Sequence, residues 1–211
     1  LARQCAPSRV AEKLCFVGKA DTVQRRLERF LDNERIDWQV CCRAWAKWVL
    51  SQYSGERIIL LVDETKLANH LSVMVVGLAY RSCCIPLAFW CYLPKSWPMK
   101  QVDLIVTLLA WIAPSIPLGI IPLVQADRGI GTSPDLLRAI VQMGWYFEVR
   151  VQKNTRLRRE AQDDCPLAAL VSAAGQTWRG SGQVFKKAGW LDADVVVVWG
   201  TAYRECWWLV T

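Results

Sequence analysis

RIILLVD at Arg57–Asp63 and GIIPLVQAD at Gly119–Asp127 are two apolar, strand-like runs that each close on an aspartate. β-Branched and long aliphatic side chains in short runs pack well on a pleated sheet, so both read as buried strands. Carboxylates fixed at the ends of neighbouring strands make a rigid pair of oxygen donors at a sheet edge. Hard divalent cations bind such pairs, and two-metal phosphoryl transfer requires them. Asp63 and Asp127 are therefore the candidate catalytic and metal-ligating residues, and a nuclease-type site is the expectation. No third acidic partner of the same kind follows before CWWLVT at Cys206–Thr211, itself strand-like. The site is thus expected to be incomplete within these residues, and the chain to be a fragment.

Outward from these runs the pattern divides the chain in three. Residues 1 to 54 read as helical, with Thr22–Leu31 and Trp38–Leu50 placing apolar residues at helical spacing between basic ones. From Arg57, Ile58–Val62, Leu71–Leu78 and Cys84–Tyr92 predict three sequential strands joined by short polar breaks. A helix from Pro98 to about Ala113 follows, then a strand at Gly119–Ala126, a helix at Pro134–Met143 opening on proline, and a strand at Trp145–Val151. The order β-β-β-α-β-α-β predicts an α/β fold, a mixed sheet covered by helices. After Lys153 the chain turns polar, and Val195–Trp199 and Cys206–Val210 predict strands of a separate β-rich insertion over residues 154–211.

Composition narrows the function. The 211 residues are 53% hydrophobic with 12 Trp, enough for a packed core, and the net charge of +7 suits a polyanionic partner. The nine cysteines include the adjacent pairs Cys41/Cys42 and Cys83/Cys84 without a repeated Cys-x-x-Cys spacing, which predicts free, buried thiols in a reducing cytoplasm. His70 is the only histidine, which excludes a His-rich zinc site and disfavours a His-based triad. Residues 105–124 are uncharged, but Pro114, Pro117, Gly119 and Pro122 interrupt them, so they predict a helix and a strand rather than a membrane span. The start of the chain lacks an initiator Met and a signal-peptide pattern. A cytoplasmic, nucleoid-associated protein is expected.

LVDETKL at Leu61–Leu67, LVQADRGIG at Leu123–Gly131, VRVQKNTRL at Val149–Leu157 and ECWWLVT at Glu205–Thr211 resemble, in this order, the successive blocks of the catalytic domain of DDE transposases from bacterial insertion sequences. The resemblance runs from about Arg57 to the end of the sequence. It implies a ribonuclease H-like catalytic core whose first part is residues 55–153, followed by the β-rich insertion. It implies that Asp63 bridges two Mg²⁺ ions (Mn²⁺ being a substitute) and that Asp127 binds one. The family's third ligand, a glutamate within a Tyr/Arg/Glu/Lys pattern, is expected on a helix beyond Thr211. Glu205 precedes the last strand and reads as non-catalytic, and Glu64, next to Asp63, as supporting or surface.

Arg150, Lys153, Arg156, Arg158 and Arg159 place five cations in ten residues from the end of the fifth strand onward, partly balanced by Glu160, Asp163 and Asp164. They read either as a solvated loop or as sequence-blind contacts to the DNA backbone. Lys186 and Lys187 form a weaker second group. In relatives that proceed through a DNA hairpin, an aromatic at the position of Trp207 stacks on a flipped base, which the resemblance implies for Trp207. Alternation lets only one of Trp207 and Trp208 face that way. Gly129 and Gly131 lack a following Gly-Lys-Ser/Thr and read as a flexible turn. The expectation is a DNA transposase that cuts element ends and joins them to target DNA as a homo-oligomer, with no membrane partner. An inactive, DNA-binding transposase remnant and a ribonuclease H-like nuclease remain alternatives.

Overall fold

The computed structural model describes residues 7–14, 18–67, 70–159 and 163–211. Cys5, Cys15 and Glu160 lie outside them. The chain divides into two units, Leu1–Cys41 and Cys42–Thr211.

In the first unit, α1 (Pro7–Lys13) and α2 (Ala20–Leu31) bury Ala11 and Val23, and Phe30 meets Trp38 edge-on at 6.4 Å. Trp38 opens α3 (Trp38–Ser51), which follows the Asp37 carboxylate; Asp37 Oδ1 accepts the N–H groups of Gln39 and Val40, satisfying two donors that the first turn leaves orphaned. The later part of α3 belongs to the second unit, where Cys42, Ala46, Val49 and Leu50 join its core.

That second unit is a mixed α/β structure on one ten-stranded sheet. The apolar runs form its centre: β1 (Ile59–Leu67), β2 (Leu71–Tyr80), β3 (Cys83–Tyr92), β4 (Leu123–Ala126) and β5 (Tyr146–Arg150), with α4 (Gln101–Ile112) between β3 and β4 and α5 (Pro134–Gln142) between β4 and β5. The element order β-β-β-α-β-α-β is the expected one. β1, β2 and β3 are antiparallel neighbours, whereas β4 lies parallel to β1 and β5 parallel to β4. Parallel neighbours need a crossover, and α5 supplies it between β4 and β5. β4 begins only at Leu123, because Pro122 has no N–H for the ladder.

Five further strands extend the sheet: β6 (Arg156–Arg158), β7 (Cys165–Pro166), β8 (Thr177–Val184), β9 (Leu191–Val198) and β10 (Trp207–Val210). The order across the sheet is β3-β2-β1-β4-β5-β10-β9-β8-β6-β7. Residues 154–211 thus add strands to the same sheet through β10, which pairs antiparallel with both β5 and β9.

One face of the central strands is apolar and closed. Leu60, Val62, Met74, Val76, Val124, Phe147 and Val149 are buried there in one cluster with Leu104, Leu108 and Ile112 of α4 and Leu137 and Ile140 of α5. Trp111 of α4 stacks on Trp90 of β3 at 5.6 Å. Glu64 shares this face with its strand partner Met74, and Tyr92 lies nearby. Burial first, and then the Glu64 carboxylate, pushes the Tyr92 phenol well above its ordinary range. Among the described residues, no helix is long and apolar enough to cross a membrane. Among the described residues, Cys41, Cys83, Cys84, Cys91, Cys165 and Cys206 are free thiols; Cys206 is buried as expected, whereas Cys41, Cys83, Cys84 and Cys91 are exposed.

Candidate active site

The parallel ladder between β1 and β4 pairs Val62 with Ala126, both buried on the helix-covered face. Alternation turns the residues before and after them to the opposite face. Asp63 and Asp127 are thus the residues that directly follow the last pair of this ladder. Both aspartates are exposed. The strand ends differ from the sequence expectation. β1 does not stop at Asp63 but continues to Leu67, because its ladder with β2 runs from Leu60↔Leu78 to Leu67↔Leu71 and pairs Asp63 with Val75. β4 stops at Ala126, so only Asp127 stands at a true strand end.

A turn holds Asp127. Its Oδ1 accepts the N–H of Gly129 at 2.8 Å and of Ile130 at 3.3 Å, and its carbonyl oxygen accepts the N–H of Gly131 at 2.7 Å. An aspartate that bonds the backbone two residues ahead fixes a turn locally. The turn also drives Ile130 into the core and brings Gly131 against β5, where a Cβ would lie 2.7 Å from the Arg150 carbonyl oxygen and 2.7 Å from Val149 Cβ. Gly131 is therefore required by close approach rather than by a phosphate loop. Asp63 is held more loosely: its Oδ2 accepts the Thr65 hydroxyl at 3.4 Å. The Cys84 thiol is raised by burial, then by Cys83 and Asp63, which places it within the field of that carboxylate.

The same face continues across β5 and β10. Gln125 donates to Glu148 at 2.7 Å across the β4–β5 pair, and Arg150, one step beyond Val149, reaches Glu205 at 2.6 Å. Glu205 also accepts from Arg128, the residue after Asp127, at 3.4 Å. Hydrogen bonding to Arg150 is the main cause that holds the Glu205 carboxyl pKa below the ordinary carboxylate range. Arg150 lies 5.0 Å from the ring of Trp207, which stacks on Tyr203 at 5.7 Å. Trp207 is 42% exposed, while Trp208 on the other face packs against the core.

The other predicted cations spread along β6 and its flanks. Lys153 is exposed in the turn after β5. Arg156 is tied to the side chain and carbonyl of Asp164, which also accepts from Lys186 at 3.1 Å. Arg158 binds the Gln183 side chain and sits 4.4 Å from the Trp190 ring, and Arg159 lies 5.8 Å from Trp178. Lys187 is exposed beside Lys186. Arg158 and Arg159 line one open concavity of about 1340 Å³, together with Gln183, Asp192 and Asp194. The structure thus brings Asp63, Asp127 and Arg150 to one part of one face and sets Arg156, Arg158 and Arg159 further along the sheet. The sequence reading missed Arg128 as a partner of Glu205; its position directly after Asp127 was the available signal.

Two carboxylates on adjacent strands suit a hard, oxygen-preferring cation such as Mg²⁺. Among the described residues, no group of three or more His, Cys, Asp or Glu side chains is arranged to hold a metal ion.

No family model matches the chain, and no curated protein matches it. Among solved structures it is similar to the piggyBac transposase in a cryo-electron-microscopy synaptic complex with hairpin DNA, at 14% identity and a TM-score of 0.43, over 75% of this chain. The match spans 33% of that protein's length. Likeness of this degree transfers neither a fold assignment nor a function.

Proposed function

We propose that the chain carries the first two catalytic carboxylates of a DDE-type DNA transposase of the insertion-sequence kind, on a ribonuclease H-like core. The observation that supports this reading most is the β1–β4 register, whose last pair, Val62 and Ala126, directly precedes Asp63 and Asp127. In this reading Asp63 and Asp127 hold divalent Mg²⁺, with Mn²⁺ as a substitute. Bound metal supplies charge neutralisation at the scissile phosphate and acidifies a coordinated water. The residues of the chain do the positioning. The turn of Asp127 fixes one carboxylate through two backbone N–H groups, and the long β1–β2 ladder fixes the backbone of the other. Lys153 and the arginines Arg150, Arg156, Arg158 and Arg159 bind the DNA backbone, and Trp207 offers an indole face to a base. A third carboxylate is required, and the resemblance assigns it to a helix after β10. The active complex is an oligomer assembled on element ends and target DNA.

The test is an assay of strand cleavage and strand transfer in Mg²⁺, made on the coding chain that includes such a helix. Asp63→Asn and Asp127→Asn are each expected to lower the cleavage rate by at least about 1000-fold, since losing a metal ligand removes several kcal/mol of transition-state stabilisation. Cleavage that survives both substitutions overturns the assignment. Cleavage without joining of the 3′ end to target DNA favours the nuclease reading. The 211 residues alone are expected to cleave weakly or not at all, and brisk Mg²⁺-dependent cutting by them overturns the need for a third carboxylate.

A further inference from the structure

Glu205 ties together two arginines that flank Asp127 from different parts of the chain. Arg128 follows Asp127 directly. Arg150 follows Val149, the ladder partner of Ala126, just as Asp63 follows Val62, the partner of Ala126 on the other side. Arg150 Nη2 donates to Glu205 Oε1 at 2.6 Å, and Arg128 Nη1 donates to Oε2 at 3.4 Å. Each carboxylate oxygen thus holds one guanidinium.

Two features make this more than a surface ion pair. Arg150 has a second contact besides Glu205, the Trp207 ring at 5.0 Å, which is itself stacked on Tyr203. Its Nε is buried and has no hydrogen-bond partner among the described residues, so part of its donor capacity is unused. Glu205, by contrast, is half exposed, as is Arg128. Ion pairs with this much solvent access stabilise a fold little and exchange readily for another anion.

A phosphodiester offers the same pair of anionic oxygens as a carboxylate, and arginine binds both in the same forked manner. We infer that Arg128 and Arg150 form a cradle for a DNA phosphodiester beside Asp127, and that Glu205 fills this cradle as an internal counter-ion that the DNA backbone displaces. The inference rests on the transposase reading, because it gives the phosphate next to the metal-binding carboxylates its cationic contacts. It also gives Glu205 a role: gating access to two positive charges without ligating metal.

The test measures binding of a short fluorescent DNA duplex by anisotropy, without divalent metal, across a series of salt concentrations. Glu205→Gln keeps the side-chain shape and removes the competing charge. It is expected to tighten binding by roughly tenfold and to steepen the slope of log affinity against log salt by about 1 to 2, since each added phosphate contact contributes about 0.9. Arg128→Ala on the Glu205→Gln background is expected to reverse roughly half of the added slope. Asp135→Asn makes the same change in net charge and removes the carboxylate partner of Arg138 on α5, whose Leu137 and Ile140 pack on the other face of the sheet; it is expected to change affinity less than about twofold. Equal gains from Glu205→Gln and Asp135→Asn overturn the cradle, as does a Glu205→Gln protein with unchanged affinity and slope. If the parent protein binds the duplex and Glu205→Gln adds nothing, the cradle fails and the transposase reading stands. If neither protein binds, both fall. Binding by Glu205→Gln alone supports a cradle that Glu205 keeps closed.

Discussion

At the centre of the sheet, β1, β4 and β5 are held by burial: Leu60, Val124 and Val149 are wholly enclosed with the apolar residues of α4 and α5. Toward the other end, β6, β8 and β9 bury Leu157, Val184, Val195 and Val197 in the same core but carry a different chemistry over the rest of their surface. There Arg158 meets Trp190 and Gln183, Arg159 meets Trp178, Ser181 donates to Asp194 at 2.5 Å, and Asp164 holds Arg156 and Lys186. The difference separates a rigid platform, on which two carboxylates keep a fixed spacing, from a polar extension whose cations are arranged by aromatic rings and carboxylates. Burial makes the centre expensive to perturb. The extension is adjustable, because exposed ion pairs and cation–π contacts contribute little each.

The sharpest way to break this comparison is at Leu60, which has no exposed surface and sits between β2 and β4 on the face that α4 and α5 cover. Leu60→Ala removes methylene groups from a site surrounded by other strands and leaves a cavity. It is expected to cost about 2–5 kcal/mol, read as a lowered midpoint in urea or thermal unfolding. A loss below about 1 kcal/mol means that the centre relaxes freely and is no more rigid than the extension.

The contrast also explains what was legible in the sequence. Apolar β-branched runs announced β1 to β5, and amphipathic spacing announced α2 to α5, because burial writes itself into composition. Asp63 and Asp127 stood out as carboxylates next to such runs. β8 did not stand out: TWRGSGQV has two glycines and mostly polar side chains, and it forms a strand because β9 pairs with it from Thr177↔Val198 to Val184↔Leu191. Tertiary pairing there overrides local preference. The same pairing starts β9 at Leu191, ahead of the valine run. The Glu205 pairs were invisible for another reason. Glu205 lies 55 residues from Arg150 and 77 from Arg128, and no periodicity links residues so far apart.

Gly131 lies where the platform meets the candidate site, and it sharpens the comparison at an intermediate size. Alanine there puts a methyl group 2.7 Å from both the Arg150 carbonyl oxygen and Val149 Cβ, neither of which is a flexible tip. Either β5 shifts or the Asp127 turn opens. Gly131→Ala is expected to cost about 1–3 kcal/mol in unfolding experiments. It is also expected to speed amide hydrogen exchange at Gly129 and Ile130, whose N–H groups the Asp127 carboxylate holds. An unchanged exchange pattern means that the turn does not depend on this close approach, and Asp127 is then positioned by β4 alone.

The smallest effect belongs to the polar extension and is visible as a pH dependence. Asp164 accepts from Arg156 and Lys186, and those two partners, Arg156 first, hold its carboxyl pKa below the ordinary value of 3.8. A carboxylate with a lowered folded-state value stabilises the fold fully above its ordinary value. The contribution declines as pH falls from there toward the lowered value and is gone below it. Asp164→Asn is therefore expected to weaken the protein slightly at neutral pH. Below the lowered value, where the parent carboxyl is itself protonated, the gap between the two proteins is expected to close. The Leu60→Ala deficit, being apolar, is expected to persist with no comparable pH dependence, because no proton enters or leaves that site. Unfolding curves of the two variants against pH separate the extension from the platform: one difference shrinks with acid and the other does not. A constant deficit in Asp164→Asn across that range means that the arginine and lysine contacts at Asp164 work by shape and hydrogen bonding rather than by charge.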